Sequence, residues 1–237
     1  MSPFVDGGPF LNTVATCLLT SIENPMCVGC SNYSPDVTIL RKWLESLMDC
    51  HAVVIHDELP EHHQAIGRQW ARVPVEFVQV ESSDTNLFFA RWVHLRVWLD
   101  NQPDVDKVFM TDGSDVVMNR PPWPMMEADH LYVGSENDTV ANKWIVDNHP
   151  SIKPMAEEFP DRVLLNAGLL GGSRADVLEL LDDLIEYPMD GGDLTDMSTF
   201  NRVLREPRWR DRFVTGPLVH TEFGKWAPSN GSPWSHK

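Results

Sequence analysis

Two carboxylates three residues apart, in Asp112-Gly-Ser-Asp115, come one residue after the apolar run Val108-Phe-Met110. On a tight turn such a pair can converge on one divalent cation. Hard cations such as Mg2+ or Mn2+ take carboxylate oxygens together with the oxygens of a bound diphosphate. Taken alone, the same turn is also an ordinary solvated loop whose side chains bond the local backbone. Asp196 is a third carboxylate of interest. It could stand near a reacting carbon or an acceptor hydroxyl, or cap the helix that carries Phe200, Val203 and Leu204. Cys27-Val-Gly-Cys30 has the spacing of a zinc half-site or a redox pair, but a second C-x2-C is absent, and a cysteine-containing loop is the plainer reading. Arg202, Arg205, Arg208, Arg210 and Arg212 form the one basic run. It reads as a solvated helix face paired with Asp and Glu, an anionic acceptor being the alternative. Trp123, Trp226 and Trp234 lie in Pro-containing loops, where an indole can stack on a sugar or base or pack into the core.

The elements that must position these groups alternate. Thr13-Val-Ala-Thr-Cys-Leu-Leu-Thr20 reads as a buried strand, and Val37, Leu40, Leu44 and Leu47 give helical spacing over Pro35 to Met48. His51 to His56 and Val75 to Val80 are further strands, separated by a polar stretch rich in His and Gln. Asp84-Thr85 opens a helix with the stripe Phe88, Trp92, Leu95 and Leu99, ending before Pro103. Val105 to Met110 is a fourth strand and delivers the acidic turn. Strand and helix in alternation predict a parallel sheet with helices on both faces, whose ligands bind beyond the carboxyl ends of the strands. After Pro121-Pro-Trp-Pro124 the alternation weakens. Leu131 to Gly134 reads as a strand, Leu164 to Gly172 as a strand with turns at Gly171-Gly172, and Ala175 to Ile185 as an amphipathic helix.

The 19 Lys and Arg against 35 Asp and Glu leave a formal net charge of −16 over 237 residues. That balance argues against a duplex nucleic-acid grip made by the whole surface, and it requires a local cation wherever a phosphate is to bind. An apolar fraction of 42% is ordinary for a globular chain and excludes a disordered one. Met1-Ser-Pro-Phe-Val-Asp has no basic n-region and no apolar run approaches the roughly 18 residues of a span, so the expectation is a cytoplasmic protein with no membrane partner.

Four segments occur in a set order: the Asp112/Asp115 turn, Asn166-Ala-Gly168 with Leu169-Leu-Gly-Gly172, Asp196-Met-Ser-Thr-Phe-Asn201, and His220-Thr-Glu-Phe-Gly-Lys225-Trp226. In that order the chain resembles the metal-dependent GT-A glycosyltransferases, particularly the glycogenin/LgtC-like galactosyl- and glucosyltransferases. Their landmarks are an Asp-x-Asp turn, an Asn-x-Gly segment, an Asp-Gln element and a late His-x-x-Gly-x-x-Lys-Pro-Trp element. The resemblance runs from about Thr13 to Trp226. It departs from the pattern in the Asp-x-x-Asp spacing, in Met197 where Gln is usual, and in the compressed late element.

The resemblance implies a single α/β domain over 1–237, GT-A in type, with a Rossmann-like, mostly parallel sheet flanked by helices and a smaller mixed C-terminal part. Residues from about 12 to 120 would form the nucleotide-binding half and those from about 121 to 237 the acceptor and sugar half. It implies Mn2+ or Mg2+ held by Asp112, Asp115 and His220, with Lys225 and Arg91 adding positive charge at the phosphates. Asp112 could instead hydrogen-bond the ribose. Thr20 would touch base or ribose. Asn166, Ala167 and Gly168 would approach the donor sugar, and Asp196 and Asn166 would serve catalysis. His220 has the ordinary alternative of a neutral core or surface histidine.

The function that follows is transfer of a hexose from a nucleotide-sugar, a UDP-sugar by resemblance, with retention of configuration. The acceptor stays open among a protein, a glycan, a small molecule and a modified nucleobase. The small size suits a compact bacterial or phage enzyme. The alternatives are a nucleotidyltransferase of the same broad fold, against which Leu19-Thr-Ser-Ile-Glu-Asn24 lacks a basic Gly-rich phosphate loop, and an inactive nucleotide-sugar-binding module.

Overall fold

The computed structural model describes residues 12–22, 34–81, 86–187, 196–223 and 231–236. The first part alternates as expected: β1 (Asn12–Leu18), α1 (Arg41–Ser46), β2 (His51–His56), α2 (Glu61–Trp70), β3 (Val75–Gln79), α3 (Leu87–Asp100) and β4 (Lys107–Thr111). The second part is mixed: β5 (Val116–Met118), β6 (Leu131–Thr139), α4 (Lys143–Asn148), α5 (Lys153–Glu158), β7 (Val163–Ser173), α6 (Arg174–Glu186), α7 (Met197–Val203), β8 (Phe213–Val214) and β9 (Trp234–His236).

Seven of these strands form one mostly parallel sheet in the order β3-β2-β1-β4-β7-β6-β8. β3, β2, β1 and β4 are mutually parallel, as are β6 and β8, while β7 runs antiparallel to both β4 and β6. The chain moves outward from β1 to β2 and β3, then crosses back to place β4 on the other side of β1. That reversal makes β1/β4 a topological switch point, where a crevice opens beyond the carboxyl ends of the two strands.

Both faces of the central strands are covered, so their residues alternate between two cores. Val53 and Ile55 of β2, with Val108 and Met110 of β4, pack with Trp92, Leu95 and Leu99 of α3 and with Leu180 and Leu184 of α6. Ala52 and Val54 of β2 and Phe109 of β4 pack on the opposite face with Trp43, Leu44, Trp123 and Trp234. Full burial of such side chains contributes about 1.5–3 kcal/mol each, which is why the continuous apolar runs of these strands read so clearly.

Three expectations are corrected. The helix over Pro35 to Met48 is a 3-10 turn, Val37–Leu40, followed by the short α1. The polar stretch after β2 is a helix, α2. Gly171 and Gly172 are not turn residues but lie within the continuous strand β7, where a Cβ on Gly171 would collide with the Phe109 ring. Trp123 and Trp234 are buried in the core, the packing role that stood beside stacking on a sugar or base. Asp84-Thr85 lies outside the described residues; within them, the Asn86 side chain caps α3 by accepting from Phe88 N. No helix among the described residues is long and apolar enough to cross a membrane.

Candidate metal centre

At the β1/β4 switch point lies a cleft of about 140 Å3, walled by Leu18 at the end of β1 and Leu19 after it, by Ile39 and Leu40, by Leu87, Phe88 and Arg91 of α3, and by Thr111 at the end of β4 with Asp112, Gly113 and Ser114 after it. Its walls are largely apolar and its charged groups stand together at the β4 side. Several bonds fix the acidic turn. The Trp43 indole donates to Thr111 Oγ1 at 2.7 Å, Asp112 N donates to the Gly168 carbonyl at 2.8 Å, and Val116 N donates to the Asp112 carbonyl at 3.1 Å.

The turn then enters β5, whose antiparallel partner β9 sets His236 opposite Val116. One ligand atom each from Asp112, Asp115 and His236 therefore lie within 4.8 Å of one another. His236 is 1% exposed, and its Nδ1 is buried with no hydrogen-bond partner among the described residues. Burial holds its imidazole down at about 4, Asp112 opposing this and His220 and Arg91 adding to it. The ring is thus neutral at pH 7 and carries a lone pair, the form in which histidine binds metal. Two carboxylates and one neutral imidazole, with an orphaned buried nitrogen among them, are a donor set that fits a divalent cation such as Mn2+.

Arg91 completes the centre. Its guanidinium makes ion pairs with both Asp112 and Asp196, and it lines the cleft. Burial works against its charge, but the two carboxylates outweigh burial and raise its pKa. Asp196 is 4% exposed in its side chain, and burial pushes its carboxyl up while Arg91 holds it down.

His220 is the main correction. Its Nε2 accepts from Ser135 N at 2.9 Å and its Nδ1 faces the Thr221 carbonyl at 2.6 Å, so both nitrogens are engaged within the fold. It stands beside His236, the ring centroids 6.2 Å apart, as the neutral core histidine of the alternative reading. Asp196 sits at the N-cap position of α7 but makes no side-chain cap; its carboxylate belongs to Arg91 instead.

Asn166 is also bound internally. Its Oδ1 accepts from Gly168 N at 2.7 Å and its Nδ2 donates to Glu136 at 3.1 Å. Ala167 is buried in the core, 1% exposed. Gly168 touches the acidic turn so closely that a Cβ there would collide with the Asp112 carboxylate. Thr20 is held inward: its backbone N–H and its hydroxyl both donate to the Asp57 carboxylate. Of the basic run, Arg208 and Arg212 pair with Asp and Glu of α6, and Arg205 and Arg202 reach backbone carbonyls. The ion pairs of Arg208 and Arg212 are those the sequence suggested, but the run is not a helix face: only Arg202 lies in α7. Lys225, Trp226, Cys27 and Cys30 lie outside the described residues.

Sequence reading missed His236, Glu136 and Asp57. His236 follows Trp234 in a three-residue strand that nothing in the sequence ties to β5, and Glu136 sits in a polar run with no motif around it. No protein-family model matches the chain, and no curated protein matches it either.

Proposed function

We propose that this chain is a metal-dependent glycosyltransferase of GT-A type that moves a hexose from a nucleoside-diphosphate sugar to an acceptor hydroxyl. The observation that carries the proposal is the Asp112/Asp115/His236 group with its orphaned imidazole nitrogen, placed at the switch-point cleft of a mostly parallel sheet beside the buried Arg91. Asp112, Asp115 and His236 would hold Mn2+ or Mg2+, which when bound supplies Lewis-acid neutralisation of the leaving diphosphate.

The chain's own residues do the rest. The apolar walls from Leu19, Ile39, Leu40 and Phe88 suit a base and ribose. Arg91, locked between Asp112 and Asp196, is a preoriented cation at the wall, so its charge is in place before the diphosphate develops its own. Gly168 leaves the space that the Asp112 carboxylate fills, so the acidic turn can lie directly against β7. The resemblance adds UDP as the nucleotide and retention as the stereochemical course.

The test is calorimetric titration of UDP with and without Mn2+. Tight binding only with Mn2+, reduced at least about 100-fold in Asp115→Ala, is the expected result, since a metal site that loses one of three protein ligands loses most of its affinity. Binding that ignores Mn2+, or an Asp115→Ala chain that behaves as the parent, would sink the proposal.

A further inference from the structure

In this acidic chain Arg91, Arg96, Arg208 and Arg212 each pair with two carboxylates. Arg162 and Arg205 do not. Neither has a carboxylate partner among the described residues, and the charge that each meets instead is the other's.

The start of β7 brings the two together. Arg162 precedes Val163, the first residue of the strand, and main-chain bonds hold it there: its N–H donates to the Phe159 carbonyl at 3.1 Å and its carbonyl accepts from Val140 N at 2.9 Å. The Arg162 guanidinium lies over the Phe159 ring, 5.3 Å from its centre, at the surface. Arg205 comes from the turn after α7. Its Nη2 donates to the Val163 carbonyl and, at 3.4 Å, to Asn201 Oδ1, while its Nε is buried with no hydrogen-bond partner among the described residues. Burial, with the Arg162 charge adding to it, pushes Arg205 down to about 10, so it is still charged at pH 7. Two like charges side by side repel, and burial makes an uncompensated one dearer still. An oxyanion beside both removes each penalty, and the planar guanidinium fork matches phosphate oxygens.

β7 is antiparallel to β4, so it starts on the carboxyl edge of the sheet, with Val163 opposite Thr139 at the end of β6. From Val163 to Gly168, which touches Asp112, the strand rises about 17 Å at about 3.4 Å per residue. The arginine pair thus shares the sheet edge of the metal group but none of its ligands.

We infer that Arg162 and Arg205 form a second anion site, one that takes a phosphate dianion, either free or carried as a monoester on a small molecule. The site uses neither metal nor UDP, so a parent chain that fails to bind UDP with Mn2+ would leave it standing.

The experiment is calorimetric titration of the full chain at fixed ionic strength with no added metal, at about pH 8, where phosphate is largely dianionic. Inorganic phosphate and glucose 6-phosphate are titrated separately. The expected result is saturable binding, weakened about 10-fold or more in Arg162→Gln, which alters an exposed side chain and leaves the bonds of Val140 and Phe159 in place. Arg205→Lys, which keeps a cation but loses the fork, should also bind more weakly. Arg210→Gln changes an exposed arginine that pairs with Asp211, and should keep the parent affinity. Tighter binding of glucose 6-phosphate would assign the site to a monoester, and equal or weaker binding to free phosphate; both support it. A parent that binds neither compound, an Arg162→Gln chain that binds them as the parent does, or an equal loss in Arg210→Gln would overturn it.

Discussion

Asp57 and Asp112 stand at equivalent places, each just after a parallel strand, β2 and β4, on the carboxyl edge of one sheet. Their surroundings differ in a way that separates structure from chemistry. Asp57 accepts from Thr20 N, Ser21 N and Glu58 N at 2.8–2.9 Å and from the hydroxyls of Thr20 and Ser21 at 3.2 and 2.6 Å. Burial would push its carboxyl up, but these donors outweigh burial and hold it below the usual range. Asp112 shares the single guanidinium of Arg91 with Asp196 and has Asp115 and an orphaned His236 nitrogen beside it. One acid is saturated by the fold and serves to pin the loop after β1. The other belongs to a group with a buried imidazole nitrogen that has no partner among the described residues, which marks it as a place for a ligand.

The comparison breaks most visibly if Arg91, the cation paired with both Asp112 and Asp196, is removed. Arg91→Met leaves Asp196 buried without its partner, and removing one member of a buried pair costs about 3–5 kcal/mol. Urea unfolding should show that loss, and adding Asp196→Asn should recover a large part of it, because the second change removes the orphaned charge. A single variant as stable as the parent would mean that Arg91 does not hold the centre together.

On the saturated side the expected effect is smaller and depends on pH. Asp57→Asn turns an acceptor-only group into one that points an NH2 at N–H donors, costing about 2 kcal/mol, on the order of 4–8 °C in Tm for a chain of this size. The folded pKa of Asp57 is depressed, so its contribution is fully present above the unfolded value near pH 4 and fades as pH falls through the folded value. Thermal unfolding of parent and variant should therefore differ widely at pH 7 and converge toward pH 3. A constant gap would show that the donors around Asp57 do not stabilise its charge.

The two regions were legible to different degrees. β1, β2 and β4 announced themselves because both faces of each are buried, giving apolar runs with no competing period, and the acidic turn followed from β4 by chain continuity. α2 did not, because it packs through Gly67 against Phe77 and shows a mostly polar surface, so its apolar period is thin. The pairing of Arg91 with Asp196 spans 105 positions and depends on how α3 and α7 pack on the sheet, which no local spacing encodes. His220 and His236 are the sharpest case. Both are late histidines, and only the β5–β9 pairing decides which of them faces Asp112 and Asp115.

That choice yields the smallest stability change and the clearest separation of roles. If His236 Nδ1 has no partner in the folded chain, then His236→Leu removes a desolvated polar atom and substitutes an apolar side chain of similar size. The lost ring contacts with Phe223, centroids 4.8 Å apart, and with His220 weigh against that gain. Without metal the net change should stay within about 1 kcal/mol, since replacing an unsatisfied buried group by an apolar one is near neutral. The stabilisation that Mn2+ confers on the parent in the same thermal scan should vanish, because a ligand that binds only the folded state stabilises it in proportion to its affinity. His220→Leu should do the reverse, destabilising the chain by stranding the Ser135 N–H and the Thr221 carbonyl while leaving a response to Mn2+. An exchange of these two outcomes would return His220 to the metal group and make His236 the structural histidine.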